Sequence, residues 1–556
     1  MHYGRPAERC EVVLTVREIK GADAARRWIW LIAPTVVGVL PFLVVTFVSL
    51  DNAGRTGVNR GDYAFIELAT RSALRGQALL GPYSRFGWNH PGPAMFYWDA
   101  GFYRAFGQTA GSLGLATTVM HTLMTATVVI VAGIASGRRA AWMAAASLLT
   151  IPWLWGMGWI DGNWNPILML TAVIATAFLA AGVLAGRRWM LVPLVATASF
   201  TVQTHVGTAP LVVLLALTSV VGLAWSMRAP WRTAWRPWAA PGAAAIAVGS
   251  LLWALPIYEQ GTSEPGNLGE LVRFTRSLNG SHGFREVLDK VAVQLTLSSG
   301  DLIGNVASPT RAVPAATPGR TLLLVGLLGA VALGLVLNLR ARRRFEQQLC
   351  TVALVATVAV FVAGTRVVGA LMGYLTLPAT AVGTLLWSAV ALTAAAEVAD
   401  RVGAPASWRP FWLVAGATTA ASVWLTIALV HGHPERSLQS LRLPDPSAEA
   451  ISDQIRAAIP DRSGAVLIEP AVPNGPAVST AAMVANQIEL GGFDTRADPG
   501  LDHFFGRERR ATGCETVAIR VGNRGQPALP SAGKVIGTFA QQVIQIRDLR
   551  PEPGCP

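Results

Sequence analysis

The sequence has few charged residues for its length. Asp, Glu, Lys and Arg make up 14% of its 556 residues, whereas 52% are apolar and the mean hydropathy is +0.43. A soluble protein of this size needs roughly 25% charged residues to cover its surface. The shortage excludes a soluble multidomain protein and indicates a polytopic membrane protein.

Cysteines and phosphate-binding motifs are scarce as well. The four cysteines at positions 10, 350, 514 and 555 show no metal-ligand spacing and form no CxxC pair. Neither GxxxxGK[ST] nor GxGxxG follows a strand, which disfavours a nucleotide-sugar donor in the cytoplasm. No pair of acids or histidines has the spacing of metal ligands either. The sequence therefore predicts no cofactor, with a divalent metal possible but not favoured.

Positive charge, by contrast, is concentrated in short clusters between apolar segments. The formal net charge is +13. Its clusters are Arg26–Arg27, Arg138–Arg139, Arg187–Arg188, Arg228/Arg232/Arg236 and Arg340/Arg342/Arg343/Arg344. Such clusters are typical of cytoplasmic loops under the positive-inside rule. No basic face with base-reading partners is present, so nucleic acid is not predicted as a partner.

The apolar segments predict eleven transmembrane helices, with the N-terminus inside and the C-terminus outside. They are 28–50, 110–136, 140–158, 167–184, 189–204, 208–227, 239–257, 321–339, 349–365, 371–398 and 411–430. The first is too long for the apolar region of a signal peptide and is interpreted as retained. The predicted organisation is a cytoplasmic segment 1–27, a bundle 28–430 with outer loops 51–109 and 258–319, and an extracytoplasmic domain 431–556.

The C-terminal region has the composition of a soluble domain. Strand-like runs at 465–469, 516–521 and 535–539 accompany a helix-like run at 479–490, which predicts a small α/β domain. Cys514 and Cys555 both lie in this domain, on the oxidising side of the membrane. We therefore expect them to form a disulfide, and two unpaired thiols are the alternative.

The first outer loop contains the stretch 61–93, GDYAFIELATRSALRGQALLGPYSRFGWNHPGP. A helix-like segment at 63–80 and a second at 94–106 are predicted to lie in the plane of the membrane interface. Asp62 is expected either to cap the first of these helices or to act chemically. Glu67 could likewise have a structural role, as the partner of Arg71 at i+4.

The residues Gly61-Asp62-Tyr63 and the run GPYSRFGWNHPGP, placed after a first transmembrane helix, resemble the GT-C superfamily of membrane glycosyltransferases, in particular actinobacterial members. That superfamily includes protein O-mannosyltransferases, the aminoarabinose transferase of lipid A and mycobacterial arabinosyltransferases. The resemblance implies a mainly α, polytopic bundle that takes sugar from a polyprenyl-phosphate carrier at the outer membrane face. It also implies that Asp62 takes the place of the catalytic acidic residue, with Glu67 in reserve.

Transfer from a polyprenyl phosphate requires one base for the acceptor hydroxyl, because the phosphate leaves without protonation. Cations or N–H donors must stabilise the departing phosphate. Arg85, His90 and Arg366 are the outer-face candidates. Arg366 closes an apolar segment, so an arginine that snorkels to the interface is the equal alternative for it.

Polar residues at the outer ends of the predicted transmembrane helices are candidates for contacts with sugar. Gln203 and His205 interrupt two apolar runs, and Asp161 and Asn163 lie in the short loop before Pro166. Amides and carboxylates hydrogen-bond to sugar hydroxyls, and such residues are expected to face a cavity rather than lipid. The alternatives are a simple Asn-Pro turn for the loop and a buried His205 that bonds a backbone carbonyl.

The sequence therefore predicts an inverting glycosyltransferase in a bacterial cytoplasmic membrane. Its partners would be a polyprenyl-phosphate sugar, the lipid bilayer and a glycan, lipid or protein acceptor of the envelope. One rival is a transporter or flippase of lipid-linked sugars, which predicts paired broken helices, whereas only the break near Gln203 is present. The other is a non-catalytic envelope scaffold whose outer domain binds a partner.

Overall fold

The computed structural model describes most of the chain. The described residues are 21–54, 57–155, 160–226, 235–276, 282–298, 316–402, 409–431, 446–459, 464–473, 475–523, 533–539, 541–551, 553 and 555. Most of the predicted cytoplasmic segment 1–27, Cys10 and the loop arginines Arg228 and Arg232 lie outside these residues.

The described chain is mainly helical. Its first helices are α1 (Gly21–Asn52), α2 (Asp62–Leu74), α3 (Ala94–Ala105), α4 (Ala110–Ser136), α5 (Arg138–Leu148), α6 (Thr150–Trp155), α7 (Asn165–Leu184), α8 (Leu191–Thr204) and α9 (Ala209–Ser226). There follow α10 (Arg236–Thr262), α11 (Asn267–Arg276), α12 (Phe284–Thr296), α13 (Pro318–Ala341), α14 (Arg344–Thr365), α15 (Pro378–Val402) and α16 (Arg409–His431). Short 3-10 helices are formed by Arg188–Met190, Val206–Thr208, Gly373–Thr376, Pro499–Leu501 and Arg507–Arg509.

Within the described residues, nine helices are long and apolar enough to cross a membrane. They are Trp30–Asn52, Ala110–Ser136, Asn165–Leu184, Val206–Trp225, Arg236–Thr262, Pro318–Ala341, Arg344–Thr365, Pro378–Val402 and Trp412–Leu429. The prediction of a mainly α, polytopic bundle with a small C-terminal α/β part is thus confirmed. The predicted number of about eleven differs by two helices, each of which has a local cause.

The two remaining predicted segments are helical but short. Segment 140–158 is divided between α5 and α6, because Pro152 lacks an N–H and its ring crowds the carbonyl of Leu148, where α5 ends. Segment 189–204 begins with a 3-10 turn, and only 14 residues form α8. Fourteen residues span about 21 Å, which is less than the roughly 30 Å of a hydrocarbon core.

Helix α7 is the centre of the bundle. In its apolar window 94% of the residues are buried, compared with 17% in α10, so α7 is enclosed by protein while α10 lies at the periphery. It packs against α4, α8, α14 and α15. Its first residue, Asn165, therefore lies near the centre of one end of the bundle. Its last residue, Leu184, lies near the centre of the other end.

The C-terminal region folds into a five-stranded sheet with helices on it. The elements are α17 (Pro446–Ala458), β1 (Val466–Pro470), α18 (Pro476–Leu490), β2 (Thr495–Ala497), α19 (Asp502–Phe505), β3 (Val517–Asn523), β4 (Lys534–Phe539) and β5 (Gln542–Asp548). The strand order is β2-β1-β3-β5-β4, with β1 parallel to β2 and β3 and with β5 antiparallel to β3 and β4. The predicted runs correspond to β1, α18, β3 and β4, whereas β2, β5 and α17 were not predicted. Cys514 and Cys555 form the predicted disulfide.

The loop that the sequence predicts at 51–109 packs into this C-terminal core. Val58, Phe65 and Leu68 share one apolar cluster with Val466 and Ile519. Helix α2, which the sequence predicts to lie in the interface plane, is therefore largely covered by the C-terminal part. It is also shorter than the predicted 63–80, because the chain turns after Leu74 through Gly76 at a φ of 71°. Helix α3 corresponds closely to the predicted 94–106.

Two further loops differ from the prediction at the same end of the bundle. Helix α10 continues to Thr262, and α11 and α12 lie within the second predicted loop, 258–319. Helix α15 begins only at Pro378, a residue suited to the first helical turn. Residues 366–377 therefore form a loop rather than the start of the predicted helix 371–398, and this loop borders the site described below.

Candidate active site

A cavity of about 410 Å³ lies between α2, the loop that follows it and the C-terminal segment 502–508. From the bundle, Phe96 of α3, Asn165 at the start of α7 and Tyr258 near the end of α10 complete its wall. The cavity thus has three sides that are far apart in the sequence. Asp62 is the first α2 residue on its lining.

Asp62 does not cap α2. The N-cap residue is Gly61, at a φ of 57°, and no side chain makes a capping hydrogen bond there. The Asp62 carboxylate instead accepts a 2.5 Å hydrogen bond from the Tyr83 hydroxyl and one from the side chain of Trp164. Burial raises the pKa of Asp62, and these two hydrogen bonds offset part of that rise. The result is a carboxylate at a cavity wall that is more basic than a solvated one.

Glu67 does not line the cavity. It is 1% exposed and accepts hydrogen bonds from Asn59 Nδ2 at 2.8 Å and from the Tyr103 hydroxyl at 2.7 Å. Five residues along a helix rotate a side chain by about 140° from Asp62. Burial raises the pKa of Glu67, while its two hydrogen bonds and the charge of Arg71 lower it. The structure encloses this carboxyl in protein.

The ion pair with Arg71, which was one of the alternatives for Glu67, does not form. Arg71 Nε instead lies 3.1 Å from Glu489 Oε2 of α18, and its Nη1 donates to Tyr103 and Gln108. The physical reason is that the C-terminal part brings a second carboxylate to the same arginine. No sequence spacing on α2 reveals this partner, which lies 418 residues away.

A buried ionic cluster holds the C-terminal part on α2. Glu489 accepts hydrogen bonds from Arg71, Arg75 and Arg509, and Arg509 Nη1 also donates to Ser72 at 2.6 Å. Burial by itself would raise the pKa of Glu489, but Arg509, Arg75 and a hydrogen bond from Thr495 hold it well below its usual range. Because Arg509 directly follows segment 502–508, the cluster fixes one wall of the cavity.

Arg85 and Arg366 lie next to loop 366–377. Arg85 Nη2 donates to the Val368 carbonyl at 3.3 Å, and Arg366 is an exposed residue directly after α14. The loop also carries Tyr374, whose ring centroid lies 5.6 Å from that of Trp164. Burial raises the pKa of Tyr374, Arg85 lowers it and Asp62 raises it, so both charges act on this phenol. Arg85 is thus connected to Asp62 through Tyr374 and Trp164.

His90 and His205 form a buried pair that does not line the cavity. Their ring centroids lie 4.9 Å apart, and His90 Nδ1 accepts a hydrogen bond from the Val206 N–H at 3.1 Å. Burial lowers the pKa of both, to about 4 for His205, and the charge of His205 lowers that of His90 further. Both imidazoles are therefore neutral near pH 7, and neither supplies a cation for a phosphate.

The remaining predicted polar residues are buried, and none of them lines the cavity. Gln203 Nε2 donates to the Leu252 carbonyl at 2.8 Å, and Asn163 Nδ2 donates to the Leu113 carbonyl at 2.9 Å. Asp161 is buried as well. In the predicted Asp161–Pro166 loop, the side chains that reach the site are instead those of Trp164, which contacts Asp62, and Asn165, which lines the cavity.

Sequence reasoning missed the contribution of the C-terminal part. Asp502, His503 and Arg507 line the cavity, and Arg507 Nη1 lies 2.5 Å from Glu259 of α10. The run DHFFGRERR that contains them mixes acidic, basic, aromatic and glycine residues, much as the stretch 61–93 does. That composition was the available signal. Within the described residues, no group of three or more His, Cys, Asp or Glu side chains is placed to hold a metal ion.

No family model and no curated protein matches the chain. Among solved structures, it is similar to ArnT from Cupriavidus metallidurans bound to undecaprenyl phosphate, with 16% identity, a TM-score of 0.46 and coverage of 92% of this chain and 97% of that chain. It is also similar to the oligosaccharyltransferase AglB from Archaeoglobus fulgidus in complex with an inhibitory peptide and a dolichol-phosphate (12% identity, TM-score 0.43, 88% and 69% covered). A third similar structure is the arabinofuranosyltransferase AftD from Mycobacteria (14% identity, TM-score 0.39, 95% and 40% covered).

All three TM-scores lie below 0.5, and the similarities do not by themselves assign a reaction to this chain.

Proposed function

We propose that the chain is an inverting glycosyltransferase that moves a sugar from a polyprenyl-phosphate carrier to a hydroxyl group of an envelope acceptor. The observation that carries the proposal is the setting of Asp62. Its carboxylate lines the cavity, is held by the neutral donors Tyr83 and Trp164, and makes no ion pair with any described residue. A carboxylate kept basic in this way suits a general base.

The reaction is a single displacement. The acceptor oxygen attacks the anomeric carbon from the side opposite the phosphate, and its proton passes to an Oδ atom of Asp62. The bond between the anomeric carbon and the phosphate oxygen breaks, and its electron pair leaves with the polyprenyl phosphate. One base is sufficient because this leaving group departs as a stable anion, and the attack inverts the anomeric configuration.

The departing phosphate is stabilised by Arg85 and Arg366 in this proposal. Charge-assisted hydrogen bonds from guanidinium groups are the strong donors that such an oxyanion needs. Loop 366–377 supports this assignment because Arg85 contacts its backbone and Arg366 begins it. In the described part of the chain neither arginine forms an ion pair, so both charges are available to a ligand.

The acceptor occupies the 410 Å³ cavity in this proposal. Asn165, Gln77 and Asp502 offer amide and carboxylate groups to sugar hydroxyls, while Phe65 and Phe504 offer aromatic faces to the C–H side of a ring. This lining fits a polar, uncharged acceptor group better than an anionic one.

We place the site at the outer face of a bacterial cytoplasmic membrane, with the N-terminus inside. Two observations support this side. The described loop arginines Arg139, Arg187 and Arg342–Arg344 lie at the other end of the bundle, as the positive-inside rule expects, and the C-terminal part that closes the cavity contains a disulfide.

The proposal is tested with purified protein in liposomes that contain a radiolabelled polyprenyl-phosphate sugar and an envelope acceptor fraction. We expect label to enter the acceptor with an inverted anomeric configuration, read by NMR of the released glycan, and Asp62→Asn to abolish the transfer. Movement of the lipid-linked sugar between leaflets without any transfer would instead establish the transporter reading. Neither transfer nor movement would favour a scaffold.

A further inference from the structure

A second cavity, of about 430 Å³, lies at the other end of the bundle. It is formed where α4, α5, α7, α14 and α15 begin or end, so it is enclosed by five helices of the bundle. The arginines on its lining are Arg139, Arg187, Arg342, Arg343 and Arg344. We call it the arginine cavity.

The arginine cavity has a surplus of positive charge. Its five arginines face two lining carboxylates, Glu346 and Asp400, which leaves three net positive charges. Both carboxylates already have partners: Asp400 pairs with Arg343 at 2.6 Å, and buried Glu346 accepts a hydrogen bond from Ser136. Arg343 is further neutralised by Glu397 at 2.8 Å.

Three of the five arginines remain unpaired by acids. Arg187, Arg342 and Arg344 make no ion pair with a described residue, and all three are exposed. Arg187 Nη2 donates to the Ala135 carbonyl at 3.1 Å, which directs its guanidinium group to the rim of the cavity. Loop arginines that only mark the cytoplasmic side need not converge, whereas these come from two different connections and line one cavity.

Helix α7 fixes the distance between the two cavities. Its first residue, Asn165, lines the candidate active site, and Ala185, directly after its end, lines the arginine cavity. Twenty helical residues span about 30 Å, the thickness of a bilayer hydrocarbon core. The arginine cavity therefore lies at the level of the headgroups of the opposite leaflet.

We propose that the arginine cavity binds a phosphate group, and that the nearest source of this chemistry is the headgroup of an anionic phospholipid. Guanidinium groups bind phosphate oxygens in pairs, with charge-assisted hydrogen bonds. Basic pockets between transmembrane helices at this depth are suited to anionic headgroups. A bound headgroup would bridge two loops, the one that follows α7 and the one between α13 and α14. This site is independent of the sugar transfer proposed above.

The test compares two variants of the full-length protein that each lose two charges. Arg342→Gln/Arg344→Gln removes arginines of the cavity. Arg188→Gln/Arg340→Gln is the matched control, because both residues are exposed at the same end but do not line the cavity. Binding of phosphatidylglycerol, phosphatidylcholine and inorganic phosphate is measured by native mass spectrometry and by the shift in thermal unfolding. Size-exclusion chromatography verifies that each variant is folded.

We expect wild type and control to bind phosphatidylglycerol in preference to phosphatidylcholine, and the cavity variant to bind it roughly tenfold more weakly. Binding of phosphatidylglycerol alone identifies the lipid as the source, and equal saturation by inorganic phosphate identifies free phosphate. Either result supports a phosphate site. Equal affinity for the two lipids together with no effect of phosphate would overturn the proposal, and so would an equal loss in both variants.

Discussion

Helix α2 carries two carboxylates, five residues apart, in contrasting surroundings. Asp62 lines an open cavity and is held by a phenol and an indole. Glu67 is 1% exposed and is enclosed between Asn59 and Tyr103, away from the cavity. Burial raises the pKa of both, so the titration shift does not separate them. What separates them is access: one can reach an acceptor and the other cannot.

The contrast arises from tertiary packing rather than from α2 itself. Asn59 and Tyr103 enclose Glu67, whereas Asp62 faces a cavity whose other wall, segment 502–508, is held on α2 through Glu489 and Arg509. The following predictions test this division, from the largest expected effect to the smallest.

Asp62→Asn is expected to lower kcat for sugar transfer by about 10²–10⁴-fold, the usual contribution of a general base. Asparagine keeps the shape and can still bond Tyr83 but takes no proton. Donor affinity, measured by titration with a labelled polyprenyl phosphate, should change little because the proposed phosphate contacts are those of Arg85 and Arg366. A parallel loss of donor affinity and rate would contradict the role of base.

Glu489→Gln is expected to destabilise the packing of the C-terminal part on α2 by roughly 3–5 kcal/mol. The reason is that the charges of Arg71 and Arg509 stay buried without their carboxylate partner. The measurement is thermal unfolding in detergent, followed by limited proteolysis of the C-terminal part. Glu469→Gln, which removes a more exposed pair with Arg547, is the matched control. Similar losses in the two variants would show that the buried cluster has no special role.

Acid should reproduce the effect of Glu489→Gln in the wild type. The pKa of Glu489 is lower in the folded protein than in the unfolded chain, so the stabilisation is complete above the unfolded value. It is lost as the pH falls below about 4.5 towards the folded pKa. The unfolding temperature of Glu489→Gln should therefore depend less on pH in this range than that of the wild type. Identical pH slopes would refute the linkage.

Glu67→Gln is expected to cost about 1–3 kcal/mol of stability, because one buried hydrogen-bond acceptor becomes a donor facing Asn59 Nδ2 or Tyr103. Its kcat per folded molecule should remain within a few-fold of the wild type. Circular dichroism melts and transfer assays at equal folded concentration give the two values. A wild-type melting temperature combined with lost transfer would move the catalytic role to Glu67.

Tyr83→Phe is expected to reduce transfer roughly tenfold at low pH and less at high pH. The Tyr83 hydrogen bond lowers the pKa of Asp62, so its removal raises that pKa further. Since the base must be ionised, the acidic limb of the kcat/KM profile should move to higher pH. A uniform loss at every pH would indicate only a packing defect.

The sequence was sufficient for features with a local signature. Apolar length identified the bundle and the loop between its first two long apolar segments, and compartment logic paired Cys514 with Cys555. Within the described residues, two of the predicted transmembrane helices are too short to span a membrane. Their composition is apolar, but Pro152 interrupts one segment and a 3-10 turn shortens the other.

Side-chain orientation and contacts between distant segments could not be predicted from the sequence. The loop before α7 was identified, but the backbone turn sends Trp164 and Asn165 to the site and leaves Asp161 and Asn163 in the interior. Arg71 has Glu67 one turn away, yet it bonds Glu489 because a domain more than 400 residues later docks there. No periodicity records such a contact.

The most direct test of the account is the ratio of transfer rates of Glu67→Gln and Asp62→Asn, measured side by side at equal amounts of folded protein with the same polyprenyl-phosphate sugar. Both changes replace a carboxylate of α2 by its isosteric amide. The account predicts a ratio of at least about 100 in favour of Glu67→Gln. A ratio near one, or an active Asp62→Asn enzyme, would contradict the assignment of Asp62 as the base.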